Sequence, residues 1–292
     1  MPIHGKDPDA MTTRFVSAER NYRCSALFWT MQSQVEILGV PVSVVGMRSA
    51  ADEIGRWIEA GEARYVCAVD VHSIMQAQRN TAHMQALRNA HMVLPDGTPL
   101  VWVAHARGER TMRRVCGPDI MLHLCGLGVG KGWRHYFYGG GEGVAEELAS
   151  RLQSMFPGLA VAGTQSPPFR ELSPAERDAS IRAIDEARPD VVWIGLGCPK
   201  QEIWMRENAD RLRGAVAIGV GAAFDFHSNR IARAPAWMRG SGLEWLHRLG
   251  SEPRRLWRRY LLLGPEFLAR AALETVRMRR TAARQAAERT GG

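Results

Sequence analysis

The chain has 292 residues, 46% of them hydrophobic, and its 38 Lys and Arg against 30 Asp and Glu give a formal net charge of +8. That size and apolar content bury a full core, which excludes a disordered tail protein and leaves room for one large domain with appendages. The five cysteines (Cys24, Cys67, Cys116, Cys125, Cys198) are odd in number and lack CxxC pairing, against both a disulfide framework and a zinc site. A reducing cytosol fits that usage. No run approaches the roughly 18 apolar residues of a membrane span, and the N-terminus lacks a signal peptide's apolar core, so a cytoplasmic protein is expected.

The charge is placed unevenly. Residues 230–292 hold 14 Arg against 5 Glu, a net of +9, which leaves the first 229 residues at −1. A basic end suits nucleic acid, anionic lipid or an acidic partner.

In chain order, residues 1–32 lack sustained periodicity and read as a mobile N-terminal extension with no chemistry placed on it. Val35-Glu-Ile-Leu-Gly-Val-Pro-Val-Ser-Val-Val45 gives two short apolar strands around Gly39 and Pro41, a hairpin pattern. A helix over about 49–61 follows. The chain then alternates: strand 64–69, a broken helix 71–89, strand 91–94, helices near 98–107 and 118–128, strand 134–138, helix 142–154 and strand 159–163. Helix 174–187, strand 190–195, helix 199–210 and strand 214–219 complete the pattern. Such alternation predicts an α/β, Rossmann-like fold over 33–229, its mainly parallel sheet covered by helices on both faces. A helical, basic appendage over 230–292 closes the chain.

Ligands of such sheets bind beyond the C-terminal ends of the strands. The residues just past those ends are polar or glycine-rich: Asp70-Val-His72, Pro95-Asp-Gly-Thr98, Gly139-Gly-Gly-Glu-Gly143, Gly195-Leu-Gly-Cys-Pro-Lys-Gln-Glu202 and Gly219-Val-Gly-Ala-Ala-Phe-Asp-Phe226. Five such ends point to one convergent pocket. Asp96 stands where a buried strand stops, with Gly97 permitting close approach of a substrate. It suits a general base or, equally, an N-cap for the helix beginning near Thr98. Asp70 and His72 share a strand end and could supply a second base or orient a sugar hydroxyl, although a cap or a core-edge histidine is the commoner role. Arg113 and Arg114, before a glycine turn, have the shape to grip a diphosphate, whereas paired arginines are by default solvated. Gly139, Gly140 and Gly141 fall between strand and helix like a phosphate cradle, yet lack the full dinucleotide or Walker pattern. Lys200 and Gln201 open a helix after a Gly-x-Gly turn, where N–H groups and the helix dipole favour an anion. Asp225 stands alone in Phe224-Asp-Phe226, and no His/Cys run has ligand spacing, so neither a bound metal nor a cofactor is implied.

The segment Arg230-Ile-Ala-Arg-Ala-Pro-Ala-Trp-Met-Arg-Gly-Ser-Gly-Leu-Glu-Trp through Tyr260, with Leu94-Pro-Asp-Gly97, Gly195–Glu202 and Gly219–Phe226, closely resembles the WecG/TagA/CpsF family of bacterial glycosyltransferases. The match runs from about residue 35 to 265. The resemblance implies transfer of a sugar from a nucleotide-sugar donor, usually UDP-linked, to a monosaccharide on a polyprenyl diphosphate during cell-surface polysaccharide assembly. It implies Asp96 as the base, Arg114 and Gln201 in the substrate pocket, and no metal. A family Thr-x-Asn falls here on Ala68-Val69-Asp70, so the polar contacts differ and Asp70 becomes a second candidate for the base. Without a metal, leaving-group charge falls on Arg114, Lys200 and the Gly139–Gly143 amides. The resemblance also makes a homo-oligomer plausible.

In the tail, tryptophans alternate with arginines, and Arg254, Arg255, Arg258 and Arg259 flank Leu256 and Leu261–Leu263. That composition suits an interfacial helix on anionic lipid, each basic residue near the surface contributing about 1 kcal/mol. It places the protein peripherally on the inner face of the cytoplasmic membrane, while Arg233, Trp237 and Glu244 pack on or close over the pocket. The competing class is a nucleic-acid-binding protein with an α/β ligand-sensing domain. It rests on charge alone, no nucleic-acid motif is present, and the five strand ends would go unexplained.

Overall fold

The structure, a computed structural model, describes residues 33–228, 230, 234, 235, 238 and 244–290. Residues 33–292 form one compact unit, so the C-terminal helices belong to the same body as the sheet. Two strands come first, β1 (Gln34–Ile37) and β2 (Val40–Ser43), an antiparallel pair. Leu38 (φ 49°) and Gly39 (φ 78°) both take the left-handed conformation between them, the requirement of a tight two-residue hairpin turn.

Next come α1 (Met47–Glu59), β3 (Arg64–Val69), α2 (Val71–Ala77), α3 (Thr81–Arg88), β4 (Met92–Pro95), α4 (Thr98–Ala106), α5 (Gly117–Lys131), β5 (Arg134–Gly139), α6 (Val144–Met155) and β6 (Ala160–Gln165). They are followed by α7 (Pro174–Glu186), β7 (Val191–Gly195), α8 (Lys200–Asn208), β8 (Val216–Gly219), α9 (Ala223–His227), α10 (Glu244–Ser251), α11 (Pro253–Trp257), a π turn (Arg258–Leu262) and α12 (Leu263–Thr290). The broken helix expected over 71–89 is two helices. Asn80 caps the second, its side chain accepting the His83 N–H at 3.0 Å.

The six strands from β3 to β8 form one parallel sheet in the order β4-β3-β8-β7-β5-β6. Its strands alternate apolar residues toward two cores. Tyr65, Cys67, Val192 and Ile194 face the layer of α2, α3, α4, α7, α8 and α12. Val66, Val191, Trp193 and Ile218 face α1, α5 and α6. The chain leaves β3 toward one edge through β4 and leaves β5 toward the other through β6. The crevice this divergence opens lies over the C-terminal ends of the central strands.

The last helix is docked on that body by specific contacts. Phe267 and Ala271 are buried in the first core. Arg107 at the end of α4 reaches Glu274 at 2.7 Å, Thr275 Oγ1 at 2.9 Å and the Glu36 carbonyl. Glu274 also accepts the Leu38 N–H at 3.0 Å. The stretch of α12 up to Thr275 is therefore packed on the body of the sheet. Its buried face was hidden by the charges on its other side.

Candidate active site

Asp96 is carried to the crevice by the β3–β4 register, which pairs Val69 with Pro95, and its N–H donates to the Val69 carbonyl at 2.8 Å. The N-cap of α4 is Gly97, so Asp96 is not the cap that the sequence also allowed. Its carboxylate turns instead to the start of α5. Oδ2 accepts the Gly117 N–H at 3.3 Å, and Oδ1 lies 3.5 Å from Arg114 Nη2. Gly117 is required there, because a Cβ would come within 3.0 Å of the Val220 carbonyl. Burial lifts the Asp96 carboxyl to about 6, against Arg114 and the Gly117 N–H, with the charges of Asp70 and Glu244 adding to the rise. The side chain keeps 27% of its surface open to solvent, so a substrate can reach it.

Arg114 is already engaged. Its Nε donates to the Asp96 carbonyl at 2.5 Å and Nη2 pairs with Glu244 at 2.9 Å. It therefore joins the β4 end to the C-terminal segment, and a diphosphate binding here would compete with two carboxylates.

Asp70 has a different environment. It caps α2, accepting the Ser73 N–H at 3.0 Å, and its other oxygen pairs with Arg259 of the π turn. Burial works to raise this carboxyl, but Arg259, the Ser73 N–H and His72 outweigh it and hold it at about 2. A group that firmly anionic is a poor proton acceptor near neutrality. His72 beside it lines a cavity of about 390 Å³ with Met75, Gln76, Arg79, Asn80 and Leu263. Burial, then Arg259, lowers its pKa.

The glycine loop after β5 is used internally. The Gly140 N–H donates to the Gly195 carbonyl at 3.0 Å, and a Cβ on Gly139 would come within 2.5 Å of the Gly195 backbone. Gly195 in turn faces Phe224. The lack of side chains at Gly139 and Gly140 serves the close packing of β5, β7 and α9. Gly141 lies farther out, beside Phe169.

Lys200 is exposed at the start of α8. Gln201 is 3% exposed, because the first turn of α8 packs under Gly219 and Gly221. Its Nε2 donates to Glu202 Oε1 at 2.9 Å, and its Oε1 is buried without a hydrogen-bond partner. Asp225 is half-buried on α9, its backbone carbonyl accepting the Arg230 N–H at 3.0 Å.

The C-terminal arginines divide. Arg259 is turned inward to Asp70, which corrects its assignment to a lipid-facing surface and keeps it at the pocket. Arg254 and Arg258 are exposed, the latter stacked over Trp257. Arg233, Trp237 and the side chain of Arg255 lie outside the described residues.

Sequence reasoning missed one group. His83 converges with Cys198 and Glu202, four residues apart on the β7–α8 turn and α8, with Ser73 and Gln76 beside them. Burial raises Glu202 to about 7 and lowers His83 to about 4. His83 is more than a hundred residues from the other two, so no sequence spacing brings the three together.

The Glycosyl transferase WecG/TagA/CpsF family model matches residues 35–281. The chain belongs to this family. It is accordingly a glycosyltransferase. Two family members named N-acetylglucosaminyldiphosphoundecaprenol N-acetyl-beta-D-mannosaminyltransferase are similar to it. The one from Bacillus subtilis is 30% identical over 196 residues, covering 67% of this chain and 74% of its own. That from Bacillus spizizenii is 29% identical over 205 residues, 70% of this chain and 77% of its own. The family match takes in Asp70, Asp96, Arg114, Gln201 and Arg259, and it extends into the docked α12.

Proposed function

We propose that the chain transfers an N-acetylhexosamine or related sugar from a UDP-sugar to a monosaccharide on a polyprenyl diphosphate, with inversion at the anomeric carbon. The observation that carries this is Asp96: an accessible strand-end carboxylate raised to about 6, beside an arginine and a helix N-terminus. A base with that affinity is deprotonated at neutral pH and still takes a proton effectively. In the mechanism, Asp96 removes the proton of the acceptor hydroxyl as the oxygen attacks the anomeric carbon. The bond to the nucleoside diphosphate breaks on the opposite face. Arg114 and Lys200 are the positive groups assigned to the departing diphosphate, and Gly141 and Asp225 remain candidate substrate contacts. The names of the Bacillus relatives support a carrier-linked N-acetylglucosamine as the first acceptor to try.

The membrane part of the proposal rests on the C-terminal helices. Among the described residues, no helix is long and apolar enough to cross a membrane. Trp257 (41% exposed), Leu261 (53%) and Leu262 (54%) nevertheless stand in solvent among Arg254, Arg258 and Arg270. Apolar side chains flanked by arginines suit the headgroup boundary of an anionic bilayer. We assign residues 230–292 to membrane association and pocket closure, with 33–229 as the catalytic part.

The test is an assay of the purified chain with UDP- and GDP-sugars and short-chain polyprenyl-diphosphate N-acetylglucosamine. Transfer from one UDP-sugar is expected, and failure with every donor overturns the proposal. Replacing Trp257, Leu261 and Leu262 together by Ser should lower co-sedimentation with anionic vesicles by about tenfold or more. Equal sedimentation, with a DNA gel shift, would favour the nucleic-acid reading.

A further inference from the structure

Outside the Asp96 site, His83 meets a cysteine and a glutamate more than a hundred residues further along the chain. His83 lies in the first turn of α3, Cys198 in the β7–α8 turn and Glu202 in the first turn of α8. One ligand atom of each lies within 4.8 Å of the others. His83 Nε2 is 3.8 Å from both Cys198 Sγ and Glu202 Oε2. His83 and Glu202 are fully buried. Gln201 satisfies Glu202 Oε1, but Oε2, facing the imidazole, has no hydrogen-bond partner. At 3.8 Å the imidazole is too far to be one. A buried oxygen left bare is costly, which favours an occupant between these atoms.

We propose that His83 Nε2, Cys198 Sγ and Glu202 Oε2 bind a soft divalent cation, with Zn²⁺ the best match. Around a tetrahedral zinc with bonds of about 2.0–2.3 Å, neighbouring ligand atoms stand roughly 3.3–3.7 Å apart. Both distances from His83 Nε2 are close to that range. A mixed sulfur, nitrogen and oxygen set selects zinc over magnesium or calcium, which take oxygen ligands. Charge also balances. A thiolate and a carboxylate together neutralise the dication, leaving a neutral unit in an apolar interior that tolerates nothing else. Binding releases to solvent the thiol proton and whatever proton the Glu202 carboxyl holds in the empty site. Gln76 Oε1, 3.2 Å from Cys198 Sγ, is placed to supply a fourth ligand. A single water would find a weaker set of partners, since a thiol is a poor hydrogen-bonding group. The role is positional. The cation would clamp α3 to the β7–α8 turn and, through Glu202, hold the Gln201 amide.

The test uses the full chain purified without a chelator and with no polyhistidine tag. Elemental analysis after growth in zinc-supplemented medium should find about one zinc per chain, and Cys198→Ala and His83→Gln should each retain about tenfold less. Adding Co²⁺ to the chelator-treated wild type should produce a thiolate-to-cobalt charge-transfer band, lost in Cys198→Ala and not displaced by Mg²⁺. A wild type without zinc and without that band overturns the proposal, and so does an equal band in Cys198→Ala. Should a variant fail to fold, the wild-type cobalt spectrum alone decides. None of these readouts depends on sugar transfer.

Discussion

The ends of β3 and β4 are neighbours in the sheet, each finishing in an aspartate, and the two carboxylates are driven in opposite directions. Asp70 is held at about 2 and Asp96 lifted to about 6. Burial pushes both upward, so depth does not separate them. The difference lies in the quality of the partners. Asp70 has a helix N–H at 3.0 Å and a guanidinium in close contact. Asp96 has longer contacts, at 3.3 and 3.5 Å, and its arginine is shared with Glu244 at 2.9 Å. Two other carboxylates add like charge to its surroundings. One strand end is thereby a structural anion, while the other keeps a carboxylate with unused affinity for a proton. Both are reached by the C-terminal segment, through Arg259 and Glu244, so the same few turns of helix set both.

The strongest way to break this contrast is to remove the proposed base. Asp96→Asn should lower kcat by about 10²–10⁴-fold while UDP binding, measured by calorimetry, stays near wild type. A fully active variant would sink the assignment. The pH–rate profile of the wild type should show kcat/KM rising with pH through about 6, where Asp96 loses its proton.

Stability should move in opposite senses at the two strand ends. Because the folded Asp96 binds its proton more tightly than the ordinary value of 3.8, its contribution declines as pH rises from about 4 to 6. Asp96→Asn should therefore stabilise the chain at pH 7, by about 3 kcal/mol at most. The folded Asp70 lies below 3.8, so its contribution is full above about pH 4 and is lost as pH falls toward 2. Asp70→Asn should cost about 2 kcal/mol at pH 7 and flatten that acid limb in chemical denaturation. Equal signs for the two variants would show that the neighbouring charges do not control the contrast. The smallest effect belongs to Glu244→Gln. It removes a like charge and leaves Arg114 to Asp96, so the acid limb of kcat/KM should move to lower pH with little change in its plateau. A limb moving upward would mean that Glu244 stabilises the ionised base.

Much of the fold could be read in the residues. The change between short apolar runs and helical spacing marks the strands of the large sheet to within a few residues, because strands such as β4, β7 and β8 are buried on both faces and so are apolar, whereas the edge strand β6 is half-buried. Polar residues after those runs located Asp70 and Asp96, since a parallel sheet brings its strand ends to one side. Gly139 and Gly140 carry a packing role that the residues alone do not show. A glycine needed for close packing and one needed for a phosphate look alike in sequence, and only Gly195 and Phe224 across the strand ends separate them. The docked face of α12 was masked likewise, as Phe267, Ala271 and Glu274 are few among many arginines.

The sequence by itself determined the alternating α/β architecture, the family and the side of the sheet on which chemistry lies. These follow from local periodicity and from which residues end each strand. Tertiary structure alone decided that Arg259 and Glu244 bear on Asp70 and Asp96, and that Gln201 faces inward. It also decided that His83, Cys198 and Glu202 meet. Charge interactions act through space: Arg259 and Asp70, Glu244 and Arg114, and His83 and Cys198 stand more than a hundred residues apart along the chain, where no spacing rule reaches.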